Sequence, residues 1–289
     1  MALILIQLLN GISLGMIYVL MAVGLTVVFG MLNIINFAHG AVYALGAYMA
    51  FTFATLLGQW TGSFWVAIFL GPLATALVGV VFEVTLLRRM QDAEHEYQIL
   101  LTFGVALILQ ELIIMIWGAI GKSVPIPREL SGLMDFGIFT FPDYRIFLIG
   151  FIGFVCLVIW LLIEKTSYGS IIRAGTENRN MVNCLGIDIY RVFTVVFGLG
   201  VGLAGLAGAL ALPMRGAQPL MGDTILTLCF VVVVIGGMGS FTGAILGGLL
   251  VGVVESMMAL IWPPGTMLSI FAAMAGVILI RPKGLLGFK

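Results

Sequence analysis

Side chains able to do chemistry are few in this chain, and their places are telling. The stretch "NIINFAHG", Asn33 to Gly40, sets Asn33, Asn36 and His39 between Gly30 and Gly40 inside an otherwise apolar sequence. Amides and an imidazole can both donate and accept hydrogen bonds. With glycines on either side they read as a helix break at or near membrane depth, where open backbone is tolerated only beside protein or a water-filled cavity. Two readings stand side by side: the three residues line or gate a substrate path, as helix breaks do in transporters, or the amides cap helix ends while His39 bonds a backbone carbonyl. Glu111, beside Gln110, and Glu255 also fall within apolar runs. A carboxylate there lines a polar pathway or bonds a neighbouring helix. Glu83, near Arg88, reads as a snorkelling group at the inner end of its segment, Asp223 in "MGDTIL" as a helix N-cap, and His95 as solvated.

Several chemistries are excluded. "GAIGKS", Gly118 to Ser123, has the tail of a phosphate-binding loop, but that motif needs glycine at position 116, where this chain has Ile116. It also closes an apolar segment instead of joining a strand to a helix. Nucleophile-elbow, HExxH and dinucleotide-binding patterns do not occur, no base and nucleophile pair stands at useful spacing, and Cys156, Cys184 and Cys229 lack metal-ligand spacing. The chain is therefore expected to hold no metal and no cofactor of its own, and to borrow any energy it uses. A membrane-embedded enzyme built on His39 and a carboxylate is the weakest reading.

The elements that carry these residues follow from composition. Of 289 residues, 62% are hydrophobic and 9% charged, and the mean hydropathy is +1.20. Soluble domains carry about a quarter charged residues, so this surface faces lipid. The 38 glycines suit close helix packing in a membrane. No basic leader precedes the first apolar run, so it is expected to remain as a span. Division at charges, prolines and Gly/Asn clusters gives nine segments, about 3–30, 40–57, 63–87, 98–120, 144–163, 191–212, 224–239, 243–260 and 265–280. Some are short enough to be half-helices or re-entrant, which brackets the count at about eight to ten. The expected fold is all-α, a polytopic transmembrane helix bundle with broken or re-entrant helices, forming one domain over residues 1–289.

Alternation places Arg88, Arg89, Lys165, Arg173, Arg179, Arg191, Arg281, Lys283 and Lys289 on one side and Lys122, Arg128, Arg145 and Arg215 on the other. The positive-inside rule makes the first side cytoplasmic. Trp60, Trp65, Trp117 and Trp262 then lie near the outer boundary as interfacial anchors. The outer connection, about 121–144, carries three prolines and reads as an ordered loop or hairpin. The inner connection, about 164–191, should hold a helix of two to three turns, capped by Thr176 and ended at Gly186, with Met181, Val182 and Leu185 on one face. That apolar face is buried either against its own bundle or in a groove on a partner. Gly236, Gly237, Gly239 and Gly243 form a second break and possible hinge, while Gly198 and Gly202 repeat small-residue spacing in the sixth segment.

The stretches "NGISLGMIYVLMAVGLTVVFGMLNIINFAHG", "LLTFGVALILQEL", "RAGTENRNMVNCLGIDIYRV", "GGMGSFTGAILGGLLVGVVES" and "RPKGLLG" occur in this order over nearly the whole chain. In them the chain resembles LivH-type permease subunits of the ABC importers for branched-chain (hydrophobic) amino acids. The resemblance implies an inner-membrane permease that pairs with a LivM-type second permease, two cytoplasmic ATPases that bind ATP and Mg, and an external solute-binding protein. It implies no nucleic acid. The inner helix becomes a coupling helix, with Arg173, Glu177, Asn178, Met181, Leu185 and Gly186 contacting the ATPase. Asn33, Asn36, His39 and Glu111 become candidates for the translocation path or its gate. Thr176 departs from the family's usual alanine, as does the acidic "DAEHEY" loop. Family members carry branched-chain and other amino acids, urea, short amides or aromatic acids, and the residues do not choose among them. A self-sufficient passive channel, with Glu111 and Glu255 as its filter, is the alternative.

Overall fold

A computed structural model describes residues 2–32, 36–58, 63–90, 93–137 and 139–287. Asn33, Trp60 and Lys289 lie outside the described residues. Nine helices correspond one for one to the nine apolar segments: α1 (Ala2–Leu32), α2 (Ala38–Leu56), α3 (Ser63–Thr85), α4 (His95–Trp117), α5 (Asp143–Lys165), then α8 (Ile189–Arg215), α9 (Met221–Gly236), α10 (Phe241–Ile261) and α11 (Thr266–Ile280). Between α5 and α8 lie α6 (Ser167–Glu177) and α7 (Arg179–Cys184). Seven helical stretches are long and apolar enough to cross a membrane; α2, with 19 residues, and α9, with 16, are the exceptions. The outer connection holds a small antiparallel hairpin of β1 (Leu133–Asp135) and β2 (Thr140–Pro142).

Burial sorts the helices into a centre and a shell. The apolar stretches of α1 and α8 are each 78% buried, whereas those of α4 and α5 are 22% buried. Residues 16–23 of α1 are all buried, so that helix is apolar on every side because protein surrounds it. Small residues make this possible. A Cβ on Gly46 of α2 would stand 2.3 Å from the Gly205 backbone of α8, and one on Gly208 would stand 2.1 Å from the Tyr43 carbonyl. Gly11, Gly15, Gly248 and Gly252 bring α1 and α10 together in the same way. Without a hydrophobic drive between helices in lipid, this backbone-to-backbone packing is the main source of cohesion.

Polar bonds tie the shell to the centre at both boundaries. On the inner side the Glu83 carboxylate accepts from Arg88, 3.3 Å away, and from the Thr194 hydroxyl at 2.7 Å. Glu83 is wholly buried, so it is not the snorkelling group its place near the helix end suggested. On the outer side Trp117 donates its indole N–H to Thr52, Tyr48 donates to the Ala217 carbonyl, and Arg145 donates to Asn10. The 118–142 and 216–220 connections meet through a bridge between Lys122 and Ala217.

Candidate functional site

The break between α1 and α2 is built as a cap. The Asn36 side-chain oxygen accepts from the Ala38 N–H at 3.0 Å, fixing the first turn of α2. Its amide nitrogen is buried, with no hydrogen-bond partner among the described residues. One turn on, His39 Nε2 lies 3.1 Å from the Met21 carbonyl of α1, and its Nδ1 is buried with no partner among the described residues. Both side chains are fully buried. The geometry of these two residues is that of capping and helix-to-helix bonding. Phe37 sits between them, half-buried, its ring centroid 5.4 Å from that of Phe230 on α9. Gly40 and Gly222 touch backbone to backbone nearby, so the first turns of α2 and α9 abut.

Glu111 does not join this group. It stands on the outward face of α4, exposed, while its neighbour Gln110 turns inward and donates to Asp223. Asp223 is in the first turn of α9 but does not cap it; Leu220 is the N-cap residue and offers no side-chain bond. The carboxylate instead anchors α4 to α9.

At the second break the four glycines divide in two. Gly237 (φ 101°) and Gly239 (φ 80°) occupy the left-handed region and make the turn. Gly236 and Gly243 are helical and let α9 and α10 meet, a Cβ on either falling within 2.3 Å of the other's backbone. The chain after α11 is sewn onto this turn by Leu285 and Leu286, whose N–H groups donate to the Ile235 and Gly236 carbonyls.

The α6–α7 elbow differs from its sequence reading in where it caps. Thr176 lies in the last turn of α6 and donates back to the Arg173 carbonyl, whereas Asn178 caps α7 by accepting from the Met181 N–H at 3.0 Å. The reason is tertiary: Gly175 lets α6 pack against Ile189 of α8, which carries α6 on to Glu177. α7 is consequently shorter than expected, six residues ending at Cys184, with Leu185 as its C-cap and Gly186 following at φ 80°. The expected apolar face also splits. Val182 is buried in the bundle, while Met181 is 67% and Leu185 76% exposed. Glu177, Asn178 and Gly186 share that exposure, and Arg173 is held at the base of α6 by the Ile163 carbonyl and by Glu164, 3.9 Å away. Cys184 is exposed at the same tip, whereas Cys156 and Cys229 are buried. Behind α6 a cavity of about 720 Å³ lies among the inner ends of α1, α5 and α8 and the start of α10, lined largely by apolar side chains such as Trp160, Val195 and Phe241.

One cluster escaped the sequence reading. Tyr18 donates to Glu255 at 2.7 Å and accepts from Arg215 at 3.3 Å, and Arg215 lies 3.8 Å from Glu255. Three core helices, α1, α8 and α10, thus share one charge-balanced knot. Glu255 therefore bonds neighbouring helices, one of the two readings its position allowed. Only its carboxylate was visible as a signal. Arg215 looked like an outer-surface cation, and nothing in the spacing of residues 18, 215 and 255 joins them. Among the described residues no group of three or more His, Cys, Asp or Glu could hold a metal ion.

Known proteins share this sequence over nearly its full length. The family described as "Branched-chain amino acid transport system / permease component" matches residues 7–281. The high-affinity branched-chain amino acid transport system permease protein BraD of Pseudomonas aeruginosa is 31% identical, over 97% of this chain and 95% of that one. Its counterpart LivH of Escherichia coli is 30% identical over 97% and 94%. The permease protein LivM of Salmonella typhimurium is 27% identical over 95% of this chain and 68% of its own.

Proposed function

This chain belongs to the branched-chain amino acid transport permease family, and from that premise we propose that it takes up branched-chain or related amino acids by alternating access, driven by ATPases bound at its α6–α7 elbow. As a membrane-spanning permease subunit of an importer it performs no covalent chemistry. ATP and its magnesium belong to two partner subunits, and an external binding protein delivers substrate. The finer assignment of branched-chain amino acids rests on what the relatives' names say they transport.

The observation that carries this reading is the division of α7. One apolar side chain, Val182, anchors the helix, and two, Met181 and Leu185, project from it uncovered. An exposed pair of large apolar side chains on a short, capped helix suits a groove on a partner, the helix-in-groove mode of recognition. ATP-driven closure of such partners would draw α7 and, through the packing of Gly175 on Ile189, the inner end of α8. The 720 Å³ cavity behind α6 is room into which that elbow can move. Asn33, Asn36 and His39 at the first break remain the proposed path or gate residues and Gly237 and Gly239 the proposed hinge, while Glu111, exposed on the outward face of α4, stands apart from them.

The test is to replace Met181 and Leu185 together by glutamate in the assembled transporter and follow leucine uptake into cells or proteoliposomes. Uptake should fall by more than tenfold, the ATPase should no longer co-purify, and the quantity of chain in the membrane should not change. Uptake that survives the double substitution would mean a passive channel and end the coupled reading.

A further inference from the structure

Glu111 is exposed and, in position, alone. Among the described residues no other exposed charged side chain lies more than five residues from both ends of a spanning helix. Among the described residues it has no hydrogen bond or ion pair. It stands six residues before the end of α4, about 9 Å along the axis at 1.5 Å per residue, further than a glutamate can reach. A charge facing hydrocarbon at depth is costly unless a partner answers it. The mid-span outward faces of the other shell helices carry none: on α3 it is Phe69, Leu73, Leu77 and Val81, on α5 Phe154, Leu157 and Val158.

The surface around Glu111 has the form of a helix-packing face. Leu100, Phe103, Leu107, Ile108, Leu112 and Met115 are exposed at helical spacing. Gly104, seven residues before Glu111, has open space where a Cβ would point, so another backbone can approach closely. Polar groups extend the face onto α9, where Asp223, tied to α4 by Gln110, is exposed with Thr224 and Thr227.

We propose that this face of α4, with the first turns of α9, is where a second, non-identical permease of the same family docks, setting Glu111 opposite a basic or hydrogen-bond-donating side chain of that partner. The proposal rests on the permease reading above. Charge argues against a second copy of this chain as the occupant. Symmetric pairing puts the same patch on both sides, and neither α4 nor α9 contains a lysine or arginine to answer Glu111 and Asp223. Existence of LivH and LivM permeases, both similar to this chain along almost all its length, supplies the kind of partner required.

A photo-crosslinking amino acid placed at Ile108, and separately at Leu77 of α3 and Leu157 of α5, tests this in native membranes containing the whole transporter. Irradiation should join this chain to a second homologous permease, identified by mass spectrometry, from Ile108 only. With Glu111 changed to leucine, the quantity of second permease recovered on the tagged chain should fall at least fivefold, and Glu111→Gln, which keeps a hydrogen bond, should restore most of it. Adducts from Leu77 or Leu157 instead, adducts of this chain with itself, or only lipid adducts from Ile108 would overturn the proposal while leaving the function intact, provided a second permease still co-purifies with the unmodified chain. Failure of any second permease to co-purify would overturn both.

Discussion

The centre of the bundle and the α6–α7 elbow use glycine for opposite ends. At Gly46 and Gly208 the absent side chain is replaced by a neighbouring backbone, and nothing larger than hydrogen fits. At Gly186 there is open space on every side, and glycine is there for its φ of 80° alone. The first use makes a contact that leaves no room to shift; the second shapes an exposed tip. Rigidity and exposure are thus separated along the chain, an arrangement that suits the proposed drawing of α8 by α7 without loosening the core.

Substitutions can break that contrast, beginning with the largest effect. Gly46→Leu should abolish folded protein, since overpacking alone costs about 1–3 kcal/mol and here the clash is with backbone; loss of the monodisperse peak on size-exclusion chromatography in mild detergent would show it. Next, Glu83→Gln leaves Arg88 and Thr194 without their shared carboxylate. Breaking a buried pair costs about 3–5 kcal/mol, and the partial exposure of Arg88 puts this case at the lower end, read as a fall of several degrees in thermal unfolding with transport retained at low temperature. Gly186→Val forces a branched side chain into the left-handed region at about 1–3 kcal/mol. Because nothing packs there, melting should hold while coupled uptake drops severalfold. The smallest effect sharpens the placing of the cap: Asn178→Ala should cost about 1 kcal/mol of α7 stability, seen as faster proteolysis at the elbow, and Thr176→Ala should cost almost nothing.

That last pair also marks the limit of what the sequence makes legible. Thr176 and Asn178 are both good capping residues, two apart, and only the docking of α6 on Ile189 decides between them. The nine spans were legible because apolar runs in lipid end where charges, prolines and glycine clusters begin, a purely local signal. The outer hairpin was legible for the same reason. Burial of Glu83 was not, since its proximity to Arg88 is local but the Thr194 hydroxyl that completes its pocket is 111 residues away. The Asp223 reading failed similarly: aspartate suits a helix's first turn in general, and it took Gln110 on another helix to draw it away from the cap. Of the candidate site, the exposure of Glu177 follows from its place in a charged inner connection, but the split of the apolar face, Val182 inward and Met181 and Leu185 outward, depends on how α7 docks on the bundle, and the Tyr18–Arg215–Glu255 knot depends on three helices meeting.

The chemistry of one side chain at the elbow has a practical outcome. Of the three thiols only Cys184 is open to solvent, and it adjoins Leu185 and Gly186 at the end of α7. A maleimide dye should therefore label the unaltered protein at a single place, and slow labelling in the presence of an ATPase subunit would time the docking event directly, with no engineered residue in the chain.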